Sequence, residues 1–501
     1  MNLGFTGIRQ VVIGIVGLLL GAILTIGLIF IDRPNIYIPL VLLNVALLVL
    51  VILKQYLFDN RYLMITIYVL LGATFLNNAF FSINLGFFSL FPYRILLIIV
   101  GFLIVFNLIR SDFRKDLWTK WTDLRVKGSL LFFVFWLYYA LLTLLWAKSV
   151  TEGIKYISIL VMGIFLIFIV TLFLNDLKKV LNFYYIWVIM SVFVMLIGYW
   201  NTFTKNHLPS SSLHLGPEYN QHYPTSVFTN QNDFATFLSI SLFFFLSLIR
   251  NGKNKYWKAG GIVLSLAALH LIMLTESRAS QLAVIAGIGF YVFLLCKSVV
   301  RKWILALGAV GASLFVLLFY NKLWSTFSSL FLSPTIHDVS GRLPSNIGRA
   351  NLMRNAFNFS LDSFGMGVGA GNTEYYMENY SIHDTDQVVN VHFWFLEIFT
   401  NFGIFVVLGY ITLYAYLMIK LFQHFNKGLT NQYRLITEAI LVALAAFVIS
   451  SISPSSVSNL FFHWVLFAFG IVTLNILRNR KKKSNEKVVL SPTHNPLIEG
   501  E

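Results

Sequence analysis

Charge is what this sequence has least of. Only 12% of its 501 residues are Asp, Glu, Lys or Arg, against about a quarter in soluble domains, and that deficit excludes an ordinary soluble globular chain. Cysteine is nearly absent as well: Cys296 stands alone, so no internal disulfide can form. Segments of about ten residues that alternate apolar and polar positions are missing, which excludes a membrane β-barrel. What is present is the complement of these absences. Hydrophobic residues make up 57% of the chain and phenylalanine alone contributes 48. They fall in runs close to the ~20 residues that cross a bilayer as a helix. The sequence therefore predicts an all-α, polytopic transmembrane bundle of about 12–14 spans, with a long external loop carrying short amphipathic helices.

Acidic residues are fewer than basic ones, giving a net charge of +16. On a soluble protein that balance would suggest nucleic acid. On this chain it reads first as cytoplasmic anchoring of loops and second as a cationic site for an anionic lipid; no nucleic-acid partner is expected. Arg9 precedes an apolar stretch at about 11–31 that is longer than a signal-peptide core and has no small-residue cleavage site after it, so it reads as an uncleaved first span. A second span follows at about 37–53. If the N-terminus is cytoplasmic and the spans alternate, most of the 37 Lys and Arg residues fall inside. The outside receives only Arg33, Arg94, Lys148, Lys155, Lys205, Arg278, Lys322, Arg342, Arg349 and Arg354. Both termini are then cytoplasmic. The chain divides into spans over 1–320, a large extracytoplasmic loop over 321–403, further spans over 404–477, and a basic tail over 478–501 expected to be disordered at the membrane surface. An external loop has no access to ATP or nucleotide sugars.

Several residues on that outer face could carry chemistry. Arg278 lies in the short turn Thr275-Glu276-Ser277-Arg278 between two apolar runs. It could snorkel and pair with Glu276, or it could line a wet cavity, because an arginine at the membrane boundary is costly otherwise. After Arg342 and Arg349, the residues Leu352, Met353, Ala356, Phe357 and Phe359 suggest an amphipathic surface helix. Its arginines could touch lipid headgroups or grip a phosphate or pyrophosphate with their planar forks. Arg354 is five residues beyond Arg349, about 140° round a helix, and should not share its face. The run from Gly365 to Gly371 matches neither a Walker loop nor a dinucleotide fingerprint. It is either a flexible hinge or a backbone that must approach a lipid phosphate or Arg349. His392 is either a packed interfacial residue or a general base. His337, His383, Asp384 and Asp386 match no firm metal spacing, and no metal site is expected. Asn230, Asn232 and Asp233 can cap the next helix or bind sugar hydroxyls.

In their order and spacing these stretches resemble the O-antigen ligase and O-antigen polymerase family of polytopic membrane glycosyltransferases. The matching residues are Asn230-Gln231-Asn232, Ser277-Arg278, Arg349-Ala350-Asn351-Leu352, the Gly365 to Gly371 run, and His392 followed by Glu397 and Gly403. They cover about 225–415; the N-terminal half matches only as a set of spans. Phe393 stands where the family often has Asn or Ser, and the second glycine after Gly403 is missing. The resemblance implies a polyprenyl-pyrophosphate-linked oligosaccharide as donor. It implies His392, Arg278 and Arg349 as catalytic residues: the arginines hold the pyrophosphate and the histidine activates the acceptor hydroxyl. Arg342, Asn230, Asn232, Gly367, Gly369 and Glu397 are implied as substrate-binding residues. It further implies a metal-independent, inverting transfer with no cofactor, in a bacterial plasma membrane, with membrane lipids and a chain-length regulator as further partners to test. The reading is a polysaccharide polymerase. A ligase moving glycan to lipid A core or protein is the near alternative. A lipid-linked oligosaccharide flippase is the alternative of another class; repeated halves and mid-membrane charges would mark it, whereas the unusual charges here gather on one face.

Overall fold

The computed structural model describes residues 59–84, 89–331, 345–454 and 456–489. Fifteen helices and one two-stranded hairpin appear among them. In chain order they are α1 (Asn60–Ala73), β1 (Ile83–Asn84), β2 (Ser89–Leu90), α2 (Pro92–Asn107), α3 (Ser111–Asp123), α4 (Lys127–Thr143), α5 (Val150–Phe173), α6 (Leu177–Thr204), α7 (Gln231–Asn251), α8 (Lys255–Leu274), α9 (Arg278–Leu295), α10 (Ser298–Phe331), α11 (Ser345–Asp362), α12 (Asn372–Tyr380), α13 (Trp394–Phe425), α14 (Asn431–Ser450) and α15 (Phe461–Val489).

The chain separates into two compact units. The first comprises residues 1–67 and 98–118, and of these the structure describes the start of α1, the end of α2 and the start of α3. There α2 and α3 meet at a bend of 113°, where Arg114 Nη1 donates to the carbonyls of Leu108 and Ile109. The second unit comprises residues 68–97 and 119–501.

Among the described residues nine helices are long and apolar enough to cross a membrane, or ten if the bent α2–α3 pair is one span. Of the expected spans that fall within the described residues, all but one coincide with a helix; the one at about 63–83 is helical only as far as Ala73. The expected spans at about 11–31 and 37–53 lie outside the described residues. The tally is lower also because α1 has only 14 residues and α4 only 17. The last helix runs on to Val489, into the basic tail.

Helices α7, α14 and α15 form the centre of the second unit. Helices α7 and α14, and α15 as far as Leu477, bury nearly all of their apolar side chains. Phe462 packs edge to face on Phe228 and Phe237 there, and those two rings are tilted against each other, with centroids 5.4–5.7 Å apart. At the other extreme, no residue of α10 between Ser298 and Ser325 is buried by protein, although this stretch is as apolar as the rest. A helix with that composition and no protein around it needs hydrocarbon as its solvent. Side-chain oxygens close the helix starts: Ser149, Asp176, Asn230 and Asn254 each accept backbone N–H groups of the first turn of α5, α6, α7 and α8.

Residues 345–393 fold as a small cap with its own core. Leu352, Ala356 and Phe359 of α11 pack with Val368, Met377 and Val391. The expected amphipathic helix is thus present, but this face is turned into the cap. The glycine run fastens the cap to the bundle. Helix α13 breaks at Gly403, whose φ is +75°. Into that break the run inserts: Val368 N–H donates to Thr400 O at 2.8 Å, Gly369 N–H to Asn401 O at 3.1 Å, and Ile404 N–H to Gly365 O at 2.8 Å. From α4 and the turn after it, Tyr139 Oη donates to Met366 O at 2.9 Å and Trp146 Nε1 to Gly367 O at 2.8 Å. A Cβ on Gly367 would lie 2.6 Å from Gly403 N, and one on Gly369 would lie 2.8 Å from Ala147 Cβ. Gly367 and Gly369, expected at the substrate, therefore meet protein. The close approaches that require glycine there are to α13 and to the turn after α4.

Candidate active site

The turn between α8 and α9 is too short to carry Arg278 far from the helix ends, so its guanidinium stays where α9 begins. Glu276, in the left-handed region at φ +52°, turns that chain sharply. Arg349 comes from the first turns of α11. The two arginines line one open cavity of about 930 Å³ together with Tyr223, Asn232, Glu276, Ser277 and Ser453. Arg354 is not on its wall, as the helical spacing predicts; its Nη1 lies 3.4 Å from Asn351 Oδ1. Arg342 and His337 lie outside the described residues.

The alternative of a snorkelling Arg278 paired with Glu276 is not what the structure has: the Glu276 carboxylate accepts a hydrogen bond from Tyr223 Oη at 3.1 Å. Among the described residues neither Arg278 nor Arg349 makes an ion pair. Two permanent cations thus face a wet cavity with no paired carboxylate, which is an arrangement suited to an anion of at least two charges.

Ser453 ties the cavity wall together, and it was not singled out from the sequence. Its hydroxyl donates to Asn232 Oδ1 at 3.0 Å and stands 3.0 Å from Ser277 Oγ. Its carbonyl, with that of Pro454, receives His392 Nδ1 at 3.3 and 3.0 Å. The signal was the serine-rich turn Ser450-Ser451-Ile452-Ser453-Pro454 between two apolar spans, where proline stops α14 from continuing. Asn230 and Asn232 separate in role. Asn230 caps α7, its Oδ1 accepting from Asn232 N and Asp233 N; Asn232 faces the cavity.

His392 precedes α13 and is half-buried, with φ +55°, a conformation that few residues other than glycine adopt. Two carbonyl acceptors at Nδ1 require a proton there. In the neutral ring Nε2 then keeps its lone pair. Burial, and secondly the Arg349 charge, push the imidazole pKa below its ordinary 6.5. A neutral ring with Nε2 unprotonated is the state in which histidine acts as a base.

Glu397 lies elsewhere. It is buried, accepting from Tyr156 Oη and Ser456 Oγ at 3.0 Å each, on the wall of a separate cavity of about 190 Å³. Expected among the substrate-binding residues, it lines a different cavity from Arg278 and Arg349.

Residues 262–411 match the model of the family described as O-Antigen ligase. That match spans Arg278, Arg349, His392 and Glu397. Over 465 residues, which are 92% of this chain and 95% of the relative, the sequence is 50% identical to the Teichuronic acid biosynthesis protein TuaE of Bacillus subtilis (strain 168). The chain belongs to the O-antigen ligase/polymerase-like family. It is accordingly a multi-pass membrane protein of polysaccharide biosynthesis. Ser453 and Asn232 fall outside the matched stretch, yet they complete the cavity that its residues line.

Proposed function

We propose that this protein is a polysaccharide polymerase on the outer face of a bacterial plasma membrane. It transfers glycan from a polyprenyl-pyrophosphate-linked donor to a sugar hydroxyl of a second lipid-linked repeat unit. The observation that carries this reading is the pair of unpaired arginines, Arg278 and Arg349, in one cavity whose wall is bonded to a neutral histidine. The pyrophosphate sits between the arginines. The acceptor oxygen attacks the anomeric carbon, its proton passes to His392 Nε2, and the bond from that carbon to the pyrophosphate oxygen breaks. The leaving group gains negative charge as it departs, and fixed cations stabilise that charge more in the transition state than in the ground state. Attack opposite the leaving group inverts the anomeric centre. The donor is already activated, so neither ATP nor a metal ion is called for. The excess of Lys and Arg on alternate loops supports cytoplasmic termini and an extracytoplasmic cavity.

Polymerase is preferred to ligase because the relative is described by the biosynthesis of a polymer, teichuronic acid. The description of the family model, O-Antigen ligase, favours the second reading, in which the acceptor is lipid A core or a protein. The purified protein in detergent, given a lipid-linked repeat unit alone, separates them. A polymerase yields longer lipid-linked chains, and a His392→Ala variant yields none. A ligase needs a different acceptor, and a flippase leaves the substrate unchanged. Normal chain length from His392→Ala would refute the assignment of the base.

A further inference from the structure

A second polar space lies beside the arginine cavity and the proposed reaction leaves it unassigned. It consists of two cavities, of about 190 and 430 Å³, whose walls share Glu374, Asn390, Ser456 and Asn459. The larger falls in the range of small-molecule sites, roughly 300–1,000 Å³. Its wall includes the neighbouring rings of Phe91 and Phe461, with centroids 5.5 Å apart.

The chemistry differs from that of the arginine cavity. The one lysine on the smaller wall, Lys155, is paired with Glu152 at 2.6 Å. The arginine of the larger wall, Arg94, donates to Ser89 O at 2.7 Å and stacks over Phe91 at 4.7 Å. Both cations are thus held by neighbouring protein groups. The walls offer amides, carboxylates, hydroxyls and aromatic rings instead, which is the set that binds sugar hydroxyls and packs against the apolar face of a sugar ring. Asn390 Nδ2 already orients the Glu374 carboxylate at 2.6 Å. Independently, Thr373 on the same wall is 2% exposed and its Oγ1 has no hydrogen-bond partner. A buried hydroxyl left unpaired is unfavourable, and a ligand hydroxyl in the cavity would satisfy it.

His392 connects the walls of the two spaces through its neighbours in sequence and its hydrogen bonds. Asn390 and Ser456 face the second space. Two residues on, His392 is bonded through Nδ1 to the carbonyls of Ser453 and Pro454, and Ser453 faces the arginine cavity. We propose that the second space is the acceptor subsite, binding an uncharged, hydroxyl-rich glycan terminus through Asn390, Asn459, Glu374 and Thr373 and presenting one hydroxyl at His392. This rests on the reading of the arginine cavity as the donor site.

The test uses the full-length protein in lipid nanodiscs. The probe is the repeat-unit oligosaccharide released from the lipid-linked precursor by mild acid, so that it carries no lipid and no pyrophosphate. Saturation-transfer NMR titration measures its binding without any turnover. Asn459→Ala, at an exposed position, and Asn390→Ala are each expected to weaken binding tenfold or more, with Arg278→Ala leaving it within twofold. No binding by the wild type, unchanged binding in both asparagine variants, or equal loss in Arg278→Ala would overturn the subsite. Chain extension is assayed separately. If the wild type binds the oligosaccharide as described yet never lengthens a lipid-linked chain, the transferase reading falls and the glycan subsite stands.

Discussion

Replacing Arg349 should change two observables at once, in directions that its position dictates. The guanidinium is assigned to the leaving pyrophosphate, and loss of one preorganised transition-state contact of this kind costs about 3–4 kcal/mol, or 10²- to 10³-fold in kcat. Arg349→Ala should therefore lower kcat far more than it raises KM for the donor. The same charge also depresses the His392 pKa, second to burial. In the wild type the active, unprotonated ring is lost only as pH falls through a value below 6.5, which sets the acid limb of the rate profile. Removing the positive charge makes protonation easier, so the limb must move to higher pH. Burial, the larger cause, remains, so the limb stays below the ordinary histidine value. Arg349→Lys keeps the charge but loses the planar fork. It should fall in kcat while the limb stays near its wild-type position. The assay is initial chain extension on a purified lipid-linked repeat unit from pH 4.5 to 8. If the limb of Arg349→Ala does not move, or if Arg349→Lys moves it equally, the proximity of Arg349 to the base is wrong.

Two further predictions concern the parts that hold the site. Gly367→Ala should lower the melting temperature of the detergent-solubilised protein clearly more than Gly365→Ala. Both have positive φ, which costs an alanine about 1–2 kcal/mol, but a Cβ at Gly367 also meets Gly403 N at 2.6 Å, whereas at Gly365 it meets only Ile404 Cγ2 at 4.0 Å. The overpacking adds about 1–3 kcal/mol, and equal melting temperatures would refute the clamp. Ser453→Ala should lower kcat by up to about tenfold, the worth of one hydrogen bond. It should leave the acid limb unmoved, because the carbonyl that holds His392 is backbone; a shifted limb would show that the hydroxyl acts on the base directly.

The spans were legible because apolar length is a property of contiguous residues. A run such as the one that becomes α7 needs no partner to be recognised. Arg278, Arg349 and His392 were legible for another reason: an arginine or histidine at a membrane boundary is costly enough to need an explanation, and their order followed a family pattern. The contacts that assemble them were not. Ser453 acts through a side chain on Asn232 and a carbonyl on His392, some 220 and 60 residues away in sequence, and nothing local marks a serine as doing so. The glycine run was read as a hinge or as a ligand-facing backbone because its partner, the break at Gly403, is itself disguised within an apolar helix. Glu397 was read as substrate-binding from its nearness to His392, but nearness in sequence does not decide which cavity a side chain lines.

The division of the site between bundle and cap explains why the cap has to be fastened so firmly. Arg278 belongs to the bundle at the start of α9, Arg349 belongs to the cap, and His392 lies at the junction where the cap enters α13. Their relative positions are fixed only while the cap is docked. Its own core of Leu352, Ala356, Phe359, Val368, Met377 and Val391 keeps α11 in shape, but that core alone cannot orient Arg349 towards Arg278. Orientation comes from the backbone bonds of the glycine run to Thr400, Asn401 and Ile404, reinforced by Tyr139 and Trp146. A misplacement of about 1 Å costs on the order of a hundredfold in rate, so a flexible hinge at this position would work against catalysis. Glycine serves here because it lets two backbones touch, and the rigidity that follows brings cations from two separate elements to one cavity.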